Sequence, residues 1–490
     1  MGSRSSPDFP IAILGAGFGG IGMAIRLKQA GIDSFTIFER ADEIGGTWRD
    51  NTYPGAACDV PSHVYSFSFE QKPDWSRAFA GSDEIQGYLL DVVEKYGLRP
   101  HIRFRRQIAE ARFDESEGLW TLVTDEDERF TARVVVSAVG GLVDPQWPDI
   151  KGLHSFAGEM FHTARWNHDF DVAGQKVAVI GTGCSAVQVV PSIAPLTEKL
   201  SVFQRTPAWV LPKPDRVYSE KTKRRFARFP RLLHAVRSLK YWLSELFGPI
   251  IFLDAPRLSR WLEKQSLRHL EEQVKDPALR EKLVPSFQLG CKRILISDDY
   301  WKSLDRDDVE LVTEPIEEIT SEGILTKDGR LHELDAIVLA TGFEVGLSKA
   351  PFPVYGRGGR ALDEAWKDGA VAYKGMTVSG FPNWFMIMGP NTGPGHTSVL
   401  VFSEAQTAYA LQAIEKIRYG GIKFVDVKQR VQDRYNAGIQ KRMKHMVWGT
   451  CKSWYVSEDG SNHSLYPGYA AEYAWRTRRF EPEEYELVAS

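Results

Sequence analysis

Two glycine-rich turns, each set between a short apolar run and an amphipathic helix, constrain this chain more than any other feature. The first follows Ile11-Ala12-Ile13-Leu14 and reads Gly15-Ala16-Gly17-Phe18-Gly19-Gly20. The second follows Lys176-Val177-Ala178-Val179-Ile180 and reads Gly181-Thr182-Gly183-Cys184-Ser185-Ala186. Strand, tight turn and helix in that order make the phosphate-binding corner of a dinucleotide fold. The first glycine permits the turn, the second lets backbone approach a pyrophosphate, and the third position must be small so that helix packs on strand. Ala186 meets that last requirement. Two such corners predict an α/β protein with two Rossmann-like dinucleotide-binding domains.

The corners differ where it matters for the ligand. The strand after the first ends in Glu39-Arg40, and the strand after the second ends in Gln204-Arg205-Thr206. Glu39 and Arg205 stand at the same offset from the first glycine of their corners. A carboxylate accepts from a free ribose 2′-hydroxyl and repels a 2′-phosphate, whereas a guanidinium does the reverse. The expectation is FAD at the first corner and NADP(H) at the second. The alternative for Arg205 is a surface arginine capping its strand. Gly45-Gly46-Thr47-Trp48 and the run Tyr53–Asp59, with Tyr65 beyond, suit a large flat cofactor, or else a structured loop around a buried tryptophan. Asp59 reads equally as a carboxylate in low-dielectric surroundings or a solvated one. The expected cofactor contacts are therefore Gly15, Gly17, Phe18, Gly20, Glu39, Arg40, Gly46, Thr47, Trp48, Asp59 and Tyr65 in the first half. In the second they are Gly181, Thr182, Gly183, Ser185, Ala186, Arg205 and Thr206.

Two further buried strands end in glycine, at Gly140-Gly141 and at Thr341-Gly342, and return the chain to the cofactor edge of a sheet. The loop Gly389–His396, with Asn391, precedes a long helix over Ser403–Tyr419. Thr341, Gly342 and Asn391 join the expected contacts, and an aromatic cluster follows at Trp448, Trp454 and Tyr455. These features divide the chain into an FAD-binding domain (1–148 and 378–490), an NADP-binding domain (149–212 and 290–377) and a helical insert (213–289). The insert interleaves arginine and lysine with apolar residues. It reads as a lid lining a substrate site, and alternatively as a basic amphipathic helix for a membrane surface or a partner. The stretch Phe156–Trp166 falls between the corners and reads as an aromatic linker coupling the two domains.

A net charge of −3 over 490 residues offers no field for nucleic acid. No apolar run spans a membrane: the longest, Tyr241–Leu253, contains Glu245 and Pro249. Cys58, Cys184, Cys291 and Cys451 lie far apart with no CxxC. That spacing predicts neither a metal site nor a disulfide, fits a reducing cytoplasm, and argues against a flavoprotein that reduces a cysteine pair. Oxygen remains as the acceptor for a reduced flavin.

Taken together the motifs resemble the type I Baeyer–Villiger monooxygenases over nearly the whole chain. Phe156, Gly158, His162 and Trp166 match the family fingerprint FxGxxxHxxxW, and Asn167 departs from it where the family has Pro or Asp. GGTW at Gly45–Trp48, GCKR at Gly290–Arg293 and Ser453-Trp454-Tyr455 match further motifs. The resemblance implies that Arg293 is catalytic with Asp59 as its acidic partner, that Lys292 and Arg205 hold the NADP phosphate, and that Trp454 borders the cofactor. It implies oxidation of ketones by O2 and NADPH to esters or lactones through a C4a-peroxyflavin, with sulfoxidation as a side activity, in a monomer or small homo-oligomer. The rival classes are a heteroatom-oxidising flavin-containing monooxygenase and a redox-sensing binding module. Trp166 and GCKR disfavour the first, and two intact corners disfavour the second.

Overall fold

A computed structural model describes residues 6–344, 350–451, 453, 455–457 and 460–490, without the side chains of 249–251, 256 and 258. Among the described residues, two sheets carry the two corners. The larger has eight strands, running Val354–Tyr355, Ile108–Asp114, Leu119–Thr124, Arg129–Ser137, Phe9–Leu14, Phe35–Phe38 and Ile102–Arg103, with Trp384–Met386 alongside Arg129–Ser137. Its central strands are parallel and buried on both faces, which is why they read as unbroken apolar runs. The helix Phe18–Gln29 covers one face and packs against the long helix Val399–Tyr419. That long helix starts four residues before the expected Ser403 because Ser398 caps it, its side chain accepting from the Leu400 amide.

The second sheet is parallel throughout, in the order Val309–Val312, Lys199–Phe203, Lys176–Ile180, Ala336–Leu339 and Glu159–His162. The helix Cys184–Ile193 leaves its corner. A small antiparallel meander over Ile316–Glu333 extends this half.

The insert enters after Val210–Leu211 and returns at Leu295–Ile296, two short strands that pair in parallel and close its root. Between them stand four helices, Glu220–Arg228, Pro230–Phe252, Pro256–Gln273 and Pro277–Leu283. The sequence reading gave a helical insert without its division into four helices. No helix among the described residues is long and apolar enough to cross a membrane.

The stretch Phe156–Trp166 lies within the second sheet: Glu159–His162 is its edge strand, paired with Ala336–Leu339. A four-residue strand flanked by glycine and a 3-10 turn is too short to show alternation. The expectation of no disulfide fails, since Cys291 and Cys451 are bonded across 160 residues. Such pairings are invisible to motif spacing because only the folded topology brings their Cα atoms together.

Candidate functional site

At the first corner Gly15 has φ +101°, and a Cβ there would stand 2.6 Å from the Ala138 carbonyl oxygen. A Cβ on Gly20 would stand 1.9 Å from the Gly15 oxygen, so helix and turn meet with no room for a side chain. Gly17 and Gly46 face each other, a Cβ on Gly46 falling 3.4 Å from the Gly17 Cα. The buried Glu39 carboxylate accepts from the Ala16 amide (2.8 Å), the Ala41 amide and Arg49 Nη1 (both 3.0 Å). It therefore also ties the strand end to the turn, with Arg49, which the sequence reading passed over, as its counter-charge. Arg40 turns to Asp50 and Asp144 at 3.6 and 3.7 Å. Thr47 opens the short helix Thr47–Asp50. The Trp48 indole donates to the Tyr65 hydroxyl at 2.9 Å, and Phe18 packs edge-on to Tyr65, forming an aromatic wall in which burial pushes the Tyr65 phenol up.

The second corner repeats the geometry. Gly181 has φ +124° and lies against the Ala340 carbonyl, a Cβ on Gly183 would meet open space, and Ala186 is buried in the first turn of the helix Cys184–Ile193. The Thr182 hydroxyl donates to the Thr206 carbonyl at 2.8 Å, fastening the turn to the strand end that carries Arg205. Arg205 is exposed. Lys292 lies close by, and burial together with the Arg205 charge holds its ammonium below the ordinary value. Among the described residues neither cation makes an ion pair. Two cations held together without a carboxylate suit an anion.

Arg293 and Asp59 meet between the corners. Arg293 donates through Nε (3.0 Å) and Nη2 to the same Asp59 oxygen, joining the loop of the first corner to the segment that returns from the insert. The Asp59 charge holds the guanidinium well above its ordinary value, and Arg293 keeps 42% of its side-chain surface exposed, so part of it remains accessible. The Cys184 thiol and the Tyr455 hydroxyl also reach the guanidinium, with Tyr455 pushed up to about 12 by burial. The Cys291–Cys451 disulfide stands behind them, anchoring the turn before Arg293 to the segment before Tyr455.

Gln188 was not foreseen. Its side chain accepts from the Tyr53 hydroxyl (2.8 Å) and the Ala57 amide (3.3 Å) and donates to the Ala57 carbonyl (2.9 Å). The helix of one corner thus clamps the loop that delivers Asp59 at the other. Ser185, one helical turn earlier, bonds the same tyrosine hydroxyl. A polar residue one turn past the fingerprint, on the Ser185 face, was the available signal.

The remaining expected residues make contacts of their own. The Asn391 amide is buried and donates to the Asn462 and Leu465 carbonyls, holding the C-terminal segment. Thr341 and Gly342 belong to a ladder between the two chain crossings: the Gln146 amide donates to the Gly342 carbonyl, the Glu344 amide to the Asp144 carbonyl, and the Thr341 hydroxyl to the Gln146 carbonyl. His162 packs between Trp147 of one crossing and Phe343 of the other. Its Nδ1 accepts from the Ala164 amide, and burial holds it down to about 4, so it is neutral. Gly158 admits no Cβ against the Asp335 carbonyl, and Trp166 stands edge-on to Phe161. Phe156 packs on the core of the second sheet. Asn167 bonds Glu159 and the Asp169 amide in a local turn. Trp454 lies outside the described residues.

A cavity of about 310 Å³ opens beside this site, lined by Phe252, Leu253, His396, Trp448 and Tyr466 with the Arg442–Glu472 pair at its rim. The Trp448 indole nitrogen is buried and meets no acceptor among the described residues. Trp448, Phe252, Cys291 and Tyr455 share one apolar cluster, which joins the cavity to the Arg293 region.

A family model described as pyridine nucleotide-disulphide oxidoreductase matches residues 12–234. A Baeyer–Villiger monooxygenase of Pseudomonas aeruginosa is 45% identical over 98% of this chain and 92% of its own length. The structure of OTEMO in complex with FAD and NADP superposes with a TM-score of 0.89 at 28% identity, covering 99% of this chain and all of that one. Cyclohexanone monooxygenase from Rhodococcus sp. Phi1 bound to NADP+ superposes with a TM-score of 0.88 at the same identity and the same coverage.

Proposed function

Because this chain belongs to the Baeyer–Villiger monooxygenases, we propose that Arg293 is its catalytic arginine and Asp59 the carboxylate that aims it, in the NADPH- and O2-dependent conversion of ketones to esters or lactones. FAD suits the first corner, where facing glycines bare the backbone amides and the Trp48–Tyr65–Phe18 wall offers a flat apolar surface. NADP(H) suits the second, where Arg205 and Lys292 offer an unpaired double charge to a 2′-phosphate. When bound, the flavin reduced by NADPH supplies the oxygen-activating chemistry.

The protein's own contribution is electrostatic. Attack at a ketone carbon moves negative charge onto the carbonyl oxygen, and a guanidinium fixed in advance lowers the energy of that charge more than mobile water does. Asp59 takes the Nε–Nη2 edge of Arg293 and so sets the direction of its remaining donors. Gln188 and the disulfide hold the two segments that bring the pair together. His162 and Trp166 act here through position: a neutral, buried imidazole wedged against both crossings sets the relation of the two sheets. The apolar cavity beside Trp448 fits the body of a ketone. The cytoplasm supplies the NADPH this reading needs, and the Cys291–Cys451 bond must then persist in a reducing compartment.

The Arg293–Asp59 pair between two unlike corners carries this reading. Arg293→Ala is expected to retain flavin reduction by NADPH and to lower ester formation from ketones by about 10²–10³-fold. Ester formation at the parent rate would refute the assignment.

A further inference from the structure

The insert presents a face that nothing in the molecule covers. On the helix Pro230–Phe252, Leu239, Trp242, Leu243, Leu246 and Phe247 are each between 47% and 60% exposed. Their spacing puts them on one stripe. The helix cannot be turned over to bury it. On the opposite side Gly248 lies where any Cβ would overlap the His396 ring. There too the buried Glu245 carboxylate accepts from His396 Nε2 (2.8 Å) and from the Ala471 amide (2.9 Å). Phe229 just before the helix and Trp261 just after it are exposed as well.

Basic residues precede this stripe, on the helix Glu220–Arg228 and at the start of Pro230–Phe252. Lys221, Arg224, Arg225, Arg228 and Arg231 are exposed and make no ion pair among the described residues. Residues 220–261 hold ten lysines and arginines against three acids, in a chain whose net charge is −3. Of those acids Glu245 is buried and Glu220 is engaged by Lys223.

We propose that this face docks on an anionic phospholipid surface. The helix lies in the plane of the interface, Trp242, Leu246 and Phe247 enter the boundary between headgroups and acyl chains, and the arginines lie over the phosphates. A bilayer complements both the apolar stripe and the charge. A second copy meeting the stripe would cover the apolar residues but bring few acids to the basic ones, since residues 220–261 hold only three. The helix carrying the stripe ends at Phe252 and is followed by exposed Leu253, and both line the cavity beside the site. Given the ketone reading above, an apolar substrate dissolved in the bilayer then has a short apolar path inward.

Flotation of the FAD-loaded enzyme with vesicles tests this. Vesicles of equimolar phosphatidylglycerol and phosphatidylcholine are compared with pure phosphatidylcholine at low salt. One variant combines Trp242→Gln, Leu246→Gln and Phe247→Gln, and another combines Arg224→Glu, Arg225→Glu and Arg228→Glu. Both are expected to keep the parent flavin spectrum and NADPH oxidation in solution, which separates this proposal from the catalytic one. Binding to the anionic vesicles is expected for the parent, and to fall by at least about tenfold in each variant and on neutral vesicles. No binding by the parent, or equal binding by the charge-reversed variant, overturns it. So does self-association, seen by sedimentation velocity and abolished by the apolar substitutions, in a parent that ignores vesicles.

Discussion

Removing the charge at Arg205 is the sharpest way to examine the second corner, because the expected effect falls on one cofactor and spares another. Arg205 and Lys292 are close enough for one to hold the other's ammonium down, and neither has a carboxylate partner among the described residues. A hydrogen bond to a charged group contributes about 1.5–3 kcal/mol, which corresponds to about tenfold to a hundredfold in affinity. Arg205→Ala is therefore expected to lower kcat/KM for NADPH by about that factor while leaving NADH unchanged. Lys292→Ala should do the same. The double variant should lose less than the two single losses added, because phosphate binding relieves the repulsion between the cations and that relief is counted twice in the single variants. The assay is anaerobic flavin reduction followed by stopped flow with each nucleotide, at low and high salt, where screening should shrink the NADPH advantage. A parallel fall for NADH, or no fall for either, would refute the anion-site reasoning.

Three further expectations follow from the geometry. His63 and His162 are both held down to about 4 by burial, against 6.5 in an open chain, so the unfolded state binds more protons between those values. Stability is therefore full above pH 6.5 and falls as pH drops toward 4, by about 2 kcal/mol per histidine at pH 5. Asp426, raised to about 6 by burial, works in the opposite sense, so the effect is read as the difference between parent and His162→Asn urea curves, and identical pH slopes would count against it. Thiol titration of the unfolded, unreduced chain should find Cys58 and Cys184 only, and Cys451→Ser should cost at most about 5 kcal/mol by the loop-entropy relation, measured by thermal unfolding. Gln188→Ala unclamps Ala57 and Tyr53 and is expected to lower kcat by about tenfold or more with little change in KM for NADPH. A change confined to KM would instead make Gln188 a nucleotide contact.

Local chemistry carried much of the fold into the sequence. Each corner is a contiguous run whose glycines answer to clashes within that run or with one neighbouring strand, so Gly15, Gly20 and Gly181 were legible. Arg293 and Asp59 are 234 residues apart, and their pairing was accessible through motif resemblance and not through spacing. Gln188, Arg49 and the Cys291–Cys451 bond depend on which loops the topology brings together. The bonds of Asn391 to the Asn462 and Leu465 carbonyls were equally hidden, because a loop before a helix does not show in sequence which segment its amide holds. The exposed stripe on the insert was hidden for a related reason: a helical period shows that one face is apolar, but only tertiary packing shows which face the molecule buries.

The placement of Trp384–Met386 beside Arg129–Ser137 also bears on how the chain is made. The eight-stranded sheet receives one of its strands some 250 residues after the strand it pairs with. During synthesis the edge at Val135–Ser137 stays open while the whole second sheet and the insert emerge. A nascent chain thus carries an unpaired, apolar strand edge for most of its translation, the kind of surface that recruits chaperones or pairs wrongly between copies. Fragments that stop before 384 keep the first glycine-rich corner intact in sequence, yet they lack the strand that closes the sheet beneath it.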